Sequence, residues 1–161
     1  MAVEINTHKH EERNMSEVEE IIETDFDSVR ELLSGSGYSD KAITYFIDKK
    51  NMGVLHDADQ VTELTGVCGD TMKIYLKVEE GRIKDAKIQV VGCPGAVASA
   101  MVAMDLIKGK TLDEAKRLQD RDIFRVLEQI PDQKQHCIRL TNKTLQKAIE
   151  EYQSGNGQKG E

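Results

Sequence analysis

The chain reads as an α+β domain, with helices, then a small antiparallel sheet, then several more helices. Three patterns predict this: helically spaced apolar residues from Val18 to Leu33, two alternating runs around a Glu79-Glu80-Gly81-Arg82 turn, and a succession of helix-start signals after Cys93.

Residues 1–15 are polar and aperiodic, as expected of a mobile tail, and they include His8 and His10. Ser16-Glu17-Val18-Glu19 has the form of a capping box, and Val18, Ile21, Ile22, Phe26, Val29, Leu32 and Leu33 follow on one helical face, so an amphipathic helix is expected over 16–34. Gly35-Ser36-Gly37 ends it. A second helix is expected from Tyr38 to about Lys49, with Ala42, Ile43, Phe46 and Ile47 on one side. The stretch from Asn51 to Gly69 is mixed, with His56 in a polar loop and a short strand at Val61–Leu64. From Met72 the period becomes two. Met72, Ile74, Leu76 and Val78 face the core, and Lys73, Tyr75 and Lys77 form a solvated face. Ala86, Ile88 and Val90 repeat the alternation, which predicts an antiparallel hairpin ending at Gly92-Cys93-Pro94-Gly95. Small residues from Ala96 to Ala100 open a helix that runs to about Lys108. Thr111-Leu112-Asp113-Glu114 is another capping box, Asp122–Gln129 a short helix, and Pro131 precedes a last helix that ends near Tyr152. Gln153–Glu161 is a polar, glycine-bearing tail.

Bulk properties exclude several function classes. A chain of 161 residues suits one compact domain with tails. Acids outnumber bases 29 to 22, giving a net charge of −7, so the clustered positive charge that phosphate binding requires is missing and nucleic acid is not an expected partner. No apolar run approaches the roughly 20 residues that span a bilayer, and MAVEINTHKHEERN lacks the apolar stretch of a secretory signal. No membrane association is expected, and the expected setting is cytoplasmic. Three cysteines cannot all pair within one chain, and in a reducing compartment thiols serve metal binding or sulfur chemistry more often than disulfides.

The cysteines occupy element boundaries. Cys68 lies in the turn entering the hairpin, Cys93 in the turn leaving it, and Cys137 near the start of the last helix. Antiparallel pairing places Cys68 and Cys93 at the same end of the sheet. Cys93 also stands at a helix N-terminus with Pro94 in the first turn, where unsatisfied N–H groups and the macrodipole favour a thiolate. If the last helix packs against that end, Cys137 completes a triangle of thiolates, and Asp70 or His136 offers a fourth donor. Such a set suits zinc or an iron–sulfur unit, because thiolates prefer softer metals. Taken singly, each residue has a plainer reading: a buried small apolar thiol, a turn-capping Asp70, a surface or core His136. The coincidence of three boundary cysteines, two of them within two positions of another donor, favours the site.

The segments YSDKAITYFIDKKNMG, CGDTMKIYLKV, IKDAKIQVVGCPGAVASAMVAMDLIKGKTLDEA and HCIRLTNKTLQKAIEEY resemble the NifU/IscU-type iron–sulfur cluster assembly scaffolds of the SufE/NifU superfamily. The resemblance covers Tyr38 to about Tyr152. It implies a three-stranded antiparallel sheet packed against helices, here with an extra N-terminal helix, and a division into a tail and extra helix (1–37), a scaffold domain (38–152) and a flexible tail (153–161). It implies that Cys68, Cys93 and Cys137 bind the cluster and accept sulfur, that Asp70 keeps the cluster labile, and that His136 is an alternative ligand. The implied function is that of a non-catalytic scaffold. A transient [2Fe–2S] cluster is built from iron and sulfur from a cysteine desulfurase and passed to apo iron–sulfur proteins, with Zn2+ able to take the cluster's place.

Departures from the family pattern qualify the partners. Where relatives carry a Leu-Pro-Pro-Val-Lys segment read by an Hsp70-type chaperone, this chain has Ile130-Pro131-Asp132-Gln133-Lys134, which puts chaperone contact through Ile130, Pro131 and Lys134 in doubt. Gly-Cys-Pro-Gly replaces the usual small-residue sequence after the second cysteine. The helix at 16–34 precedes the family's usual start, with cover for the sheet or self-association into a homodimer as its expected roles. The runner-up is a zinc-dependent sulfurtransferase of the SufU branch, in which a displaced ligand thiol accepts a persulfide. That branch carries an insertion between the second and third cysteines, which the stretch from Cys93 to Cys137 lacks. A purely structural zinc site is a third reading, and the exchangeable Asp70 and His136 suit its closed shell poorly.

Overall fold

In the computed structural model, residues 15–67 and 69–155 are described, with side chains from residue 25 onward except that of Cys68. The tails with His8 and His10, Cys68, and the side chains of the Ser16–Glu19 capping box therefore lie outside the described residues.

Two helices open the fold, α1 (Met15–Gly35) and α2 (Asp40–Asp48). Ser39 caps α2, accepting the Ala42 N–H at 3.0 Å, while its own hydroxyl donates to the Leu127 carbonyl. That second bond ties the start of α2 to a helix 88 residues further along the chain. The sheet follows as β1 (Gln60–Thr65), β2 (Thr71–Glu79) and β3 (Arg82–Val91), antiparallel with β2 central. Glu80 and Gly81 turn the β2–β3 hairpin with φ of 53° and 75°, the backbone of a two-residue primed turn matched to strand twist. The free edge of β3 is covered by residues 51–53, where the Ile88 N–H donates to the Asn51 carbonyl and the Gly53 N–H to the Ile88 carbonyl.

Helix α3 (Pro94–Ile107) has no polar face, because it lies at the centre of the molecule with residues 95–104 and Ile107 buried. Its alanines at 96, 98, 100 and 103 let the sheet, α2 and the last helix approach closely. Two short helices, α4 (Leu112–Lys116) and α5 (Asp120–Leu127), a 3-10 turn (Asp132–Lys134) and the long α6 (Gln135–Ser154) complete the layer. Met72, Ile74, Leu76, Ile83, Ala86 and Ile88 pack from the sheet against α3 and α6, as the alternation predicts. Truncating one of these, such as Ile74→Ala, would cost about 2–5 kcal/mol. Among the described residues, no helix is long and apolar enough to cross a membrane.

Three expectations are corrected. Tyr75 is not solvated: it is 5% exposed, packed with Ala58, Val61 and Leu55 because the loop before β1 folds over that face, and its hydroxyl donates to Gln89 at 2.7 Å. Helix α5 begins two residues earlier than predicted, because Asp122 accepts the Gln119 N–H at 2.9 Å and so marks the N3 position rather than the start. Helix α1 packs mainly on α2 rather than over the sheet, with Leu33 buried but Leu32 70% exposed.

Candidate metal centre

The last paired residues of the hairpin's open end are Thr71 and Val91, so Asp70 and Gly92 face each other just beyond the ladder. Asp70 closes a tight turn: the Gly66 N–H donates to its carbonyl at 2.8 Å, and the Gly69 N–H, at a φ of 92°, donates to the Gly66 carbonyl at 3.0 Å. Cys93 is the N-cap residue of α3, in extended backbone with Pro94 next in the helix. Cys137 stands in the first turn of α6. There its carbonyl accepts the Thr141 hydroxyl at 2.8 Å, and that hydroxyl also reaches Met72 Sδ at 3.5 Å in the core. A strand end and two helix starts thus converge.

The resulting distances define a compact donor group. Cys93 Sγ and Cys137 Sγ are 3.4 Å apart, and Asp70 Oδ2 lies 3.9 Å from the first and 4.0 Å from the second. His136 Nε2 is 3.7 Å from Cys137 Sγ. One donor atom each from Asp70, His136 and Cys137 fall within 4.8 Å of one another, a spacing that a single metal ion could bridge. Cys137 is fully buried, whereas Cys93, Asp70 and His136 are partly exposed, so the group opens to solvent on the Cys93 side. Gly95 lies beneath it. A Cβ there would press on Lys134 Cβ at 3.3 Å and meet the Tyr38 hydroxyl at 3.5 Å and Cys137 Sγ at 3.6 Å at ordinary contact distance, so the second glycine of Gly-Cys-Pro-Gly lets Lys134 lie close to the group.

The two thiols behave as a pair. The hydrogen bond from Cys137 is the main force that pulls Cys93 down to about 6, helped by the Ala96 amide and the Lys134 charge and opposed by burial and Asp70. The same hydrogen bond, with burial and the Cys93 and Asp70 charges, pushes Cys137 up. The first proton therefore leaves Cys93 easily and the second stays on Cys137. Burial, with the two neighbouring sulfurs, pushes the Tyr38 phenol up to about 12, which keeps it a neutral donor beside them.

The structure thus brings together Asp70, Cys93, His136 and Cys137 from the sequence-predicted set, while Cys68 lies outside the described residues. His56 stays apart from the group. Ile130 is buried, and Pro131 leads into the 3-10 turn that carries Lys134 toward Gly95. Sequence reasoning missed Tyr38 and Gly95 and gave Lys134 another role, because only tertiary packing brings Tyr38 and Lys134 against Gly95. A cleft of about 430 Å3 lined by Asp40, Lys41, Thr44, Tyr45, Asp48 and Lys50 contains none of these donors.

The chain is similar to known proteins over most of its length. The model of the NifU-like N terminal domain family matches residues 37–159. The iron–sulfur cluster assembly scaffold protein IscU 1 of Archaeoglobus fulgidus is 41% identical over 121 residues, covering 74% of this chain and 79% of its own. The scaffold protein IscU of Azotobacter vinelandii is 37% identical over 125 residues, covering 74% and 97%. Among solved structures, FiSufU of Fervidobacterium islandicum AW-1, described as a candidate scaffold of the SUF system, superposes with a TM-score of 0.59 at 26% identity over 70% of this chain and 96% of that one. The N-terminal part of a NifU-like protein from Brucella abortus shares the fold, with a TM-score of 0.62 at 20% identity over 72% and 94%. The chain belongs to the family of NifU-like N-terminal domains.

Proposed function

We propose that the chain is a scaffold on which an iron–sulfur cluster of the [2Fe–2S] type is assembled from iron and desulfurase-derived sulfur, and from which it passes to apo iron–sulfur proteins. The observation that carries this reading is the convergence of two thiols, a carboxylate and an imidazole at one open end of the sheet. The relatives' names as assembly scaffolds support it. In this reading Cys68, two residues before Asp70 in the sequence, is the third thiolate ligand.

The roles follow from the chemistry of each group. Cys93, thiolate at neutral pH, attacks the terminal sulfur of a desulfurase persulfide. A new S–S bond forms on Cys93, the old one breaks, and the desulfurase cysteine leaves as thiolate. Cys137, in reach at 3.4 Å, is the second sulfur acceptor and ligand. Asp70 is a hard oxygen donor among soft ones, hence the ligand most easily exchanged for an acceptor's thiol. Val67 and Val91, exposed beside the two turns, give incoming partner proteins apolar surface. Chaperone recognition is set apart from these roles, because the Hsp70 mode needs an extended segment and here Ile130 is buried and Asp132–Lys134 form a turn.

One observation favours a second reading. Zinc held by Asp70, His136 and Cys137 would leave Cys93 as the persulfide acceptor of a sulfurtransferase. The test is anaerobic incubation with iron, cysteine and a cysteine desulfurase, followed by addition of an apo-ferredoxin. Charge-transfer absorbance that forms on the chain and moves to the ferredoxin is expected. Retained stoichiometric zinc with persulfide turnover and no cluster would replace the scaffold with the sulfurtransferase.

A further inference from the structure

Gly92 sits opposite Asp70 at the open end of the β2–β3 ladder. A Cβ built on it would lie 2.8 Å from Asp70 Cγ, 3.0 Å from Oδ1 and 3.1 Å from Oδ2. Contacts under 3.0 Å do not persist, so one group must move. The obstacle is the free end of a short side chain, and the group that moves is the carboxylate. The backbone of Gly92 is not in the left-handed region, so its dihedral angles do not demand glycine. The residue is exposed, so it is not a core-packing position either. What the missing side chain provides at this position is space for Asp70.

We infer that Gly92 is a positioning residue for the site's oxygen donor: it holds open the slot in which the Asp70 carboxylate stays within 4.0 Å of both Cys93 Sγ and Cys137 Sγ. The inference deepens the metal-site reading above and rests on it for its consequence in metal binding. A methyl group at 92 displaces the carboxylate from its place within reach of the thiols. Gly92→Ala therefore reproduces the metal-binding defect of Asp70→Ala, although residue 92 offers no ligand atom. The alternative is that a side chain at 92 acts on the neighbouring Cys93, in which case its effect is independent of Asp70.

A double-mutant cycle separates the two. Wild type, Gly92→Ala, Asp70→Ala and the double variant are titrated metal-free with Zn2+ against a chromophoric chelator, and their melting temperatures are recorded without metal. Gly92→Ala is expected to weaken zinc about tenfold or more, the scale seen when the support of a ligand is lost. In the Asp70→Ala background the same substitution is expected to change affinity by less than about twofold, because the colliding carboxylate is gone. Without metal, it is expected to lower the melting temperature by about 2–4 °C when Asp70 is present and to leave it unchanged in the Asp70→Ala background. Wild-type zinc affinity in Gly92→Ala, or a loss that multiplies in full with that of Asp70→Ala, overturns the inference. If Gly92→Ala does not fold, a folded double variant upholds it and an unfolded one overturns it. If wild type itself binds no zinc, the metal-site reading falls and the melting-temperature cycle alone decides the role of Gly92.

Discussion

Asp70→Ala should yield a scaffold that holds its cluster longer and gives it up more slowly. The carboxylate oxygen lies 3.9 Å and 4.0 Å from the two sulfurs, and unit charges at about 4 Å interact by about 4 kcal/mol at an effective dielectric of about 20. Partial exposure reduces that figure. Even so, a third of it, about 1.4 kcal/mol added to the release barrier, slows release roughly tenfold. The direction comes from donor chemistry: oxygen matches iron in a sulfide cluster less well than thiolate does, so the carboxylate is the position an acceptor thiol enters. Alanine removes this exchangeable ligand and leaves His136 Nε2, 3.7 Å from Cys137 Sγ, as the fourth donor. Zinc, which accepts oxygen donors readily, should by contrast lose affinity when Asp70 is removed or displaced. The assay follows cluster absorbance from scaffold to apo-ferredoxin anaerobically for both proteins. A variant that transfers as fast as wild type or faster, or never assembles a cluster, would refute the lability argument.

Other predictions follow from the same geometry. Cys68→Ser, Cys93→Ser and Cys137→Ser should each impair cluster assembly with the fold retained, since a hydroxyl is a poor soft-metal ligand. Equal yields of equally stable cluster, read by absorbance and iron content, would refute the site. Alkylation of Cys93 in the metal-free protein should have its midpoint at about pH 6, slowing as pH falls below that value and the thiolate is protonated, while Cys137 stays protected above it. A mass-spectrometric rate profile for Cys93 centred near 9, the ordinary thiol value, would contradict the pairing. A peptide spanning residues 128–136 should bind an Hsp70-type chaperone weakly, because Asp132 places a charge in a groove suited to apolar segments. Affinity equal to that of a Leu-Pro-Pro-Val-Lys peptide in a titration would count against this.

What was legible in the sequence follows from how local its cause is. The β2–β3 hairpin, the α4 capping box and the central α3 are written in short-range pattern, and the structure reproduces them. The edge strand β1 was faint because Gln60 and Thr62 are buried polar residues. Thr62 donates to Glu151 of α6 at 2.7 Å, a partner that no local pattern predicts. Tyr75 was misplaced for the same kind of reason: alternation gives the face but not whether a loop covers it. In α1 the apolar spacing predicted a covered face, yet Phe26 and Leu32 are exposed, since spacing gives amphipathicity but not a partner. At the site, Asp70, Cys93, His136 and Cys137 were legible because each stands at a boundary that antiparallel pairing and helix packing bring to one end. Tyr38 was not, because only packing brings its phenol to the thiols, nor were Gly92 and Gly95, whose roles lie in space left beside side chains distant in sequence.

The central claim is that the group around Cys93 and Cys137 builds a cluster rather than holding one metal ion. The most direct measurement is Mössbauer spectroscopy, with iron and sulfide analysis, on protein reconstituted anaerobically with iron, cysteine and a cysteine desulfurase. The account predicts a [2Fe–2S] spectrum with about equal iron and sulfide in the wild type, absent in Cys93→Ser and Cys137→Ser. A wild-type spectrum of mononuclear or adventitious iron without sulfide, or a full cluster in either variant, would contradict it.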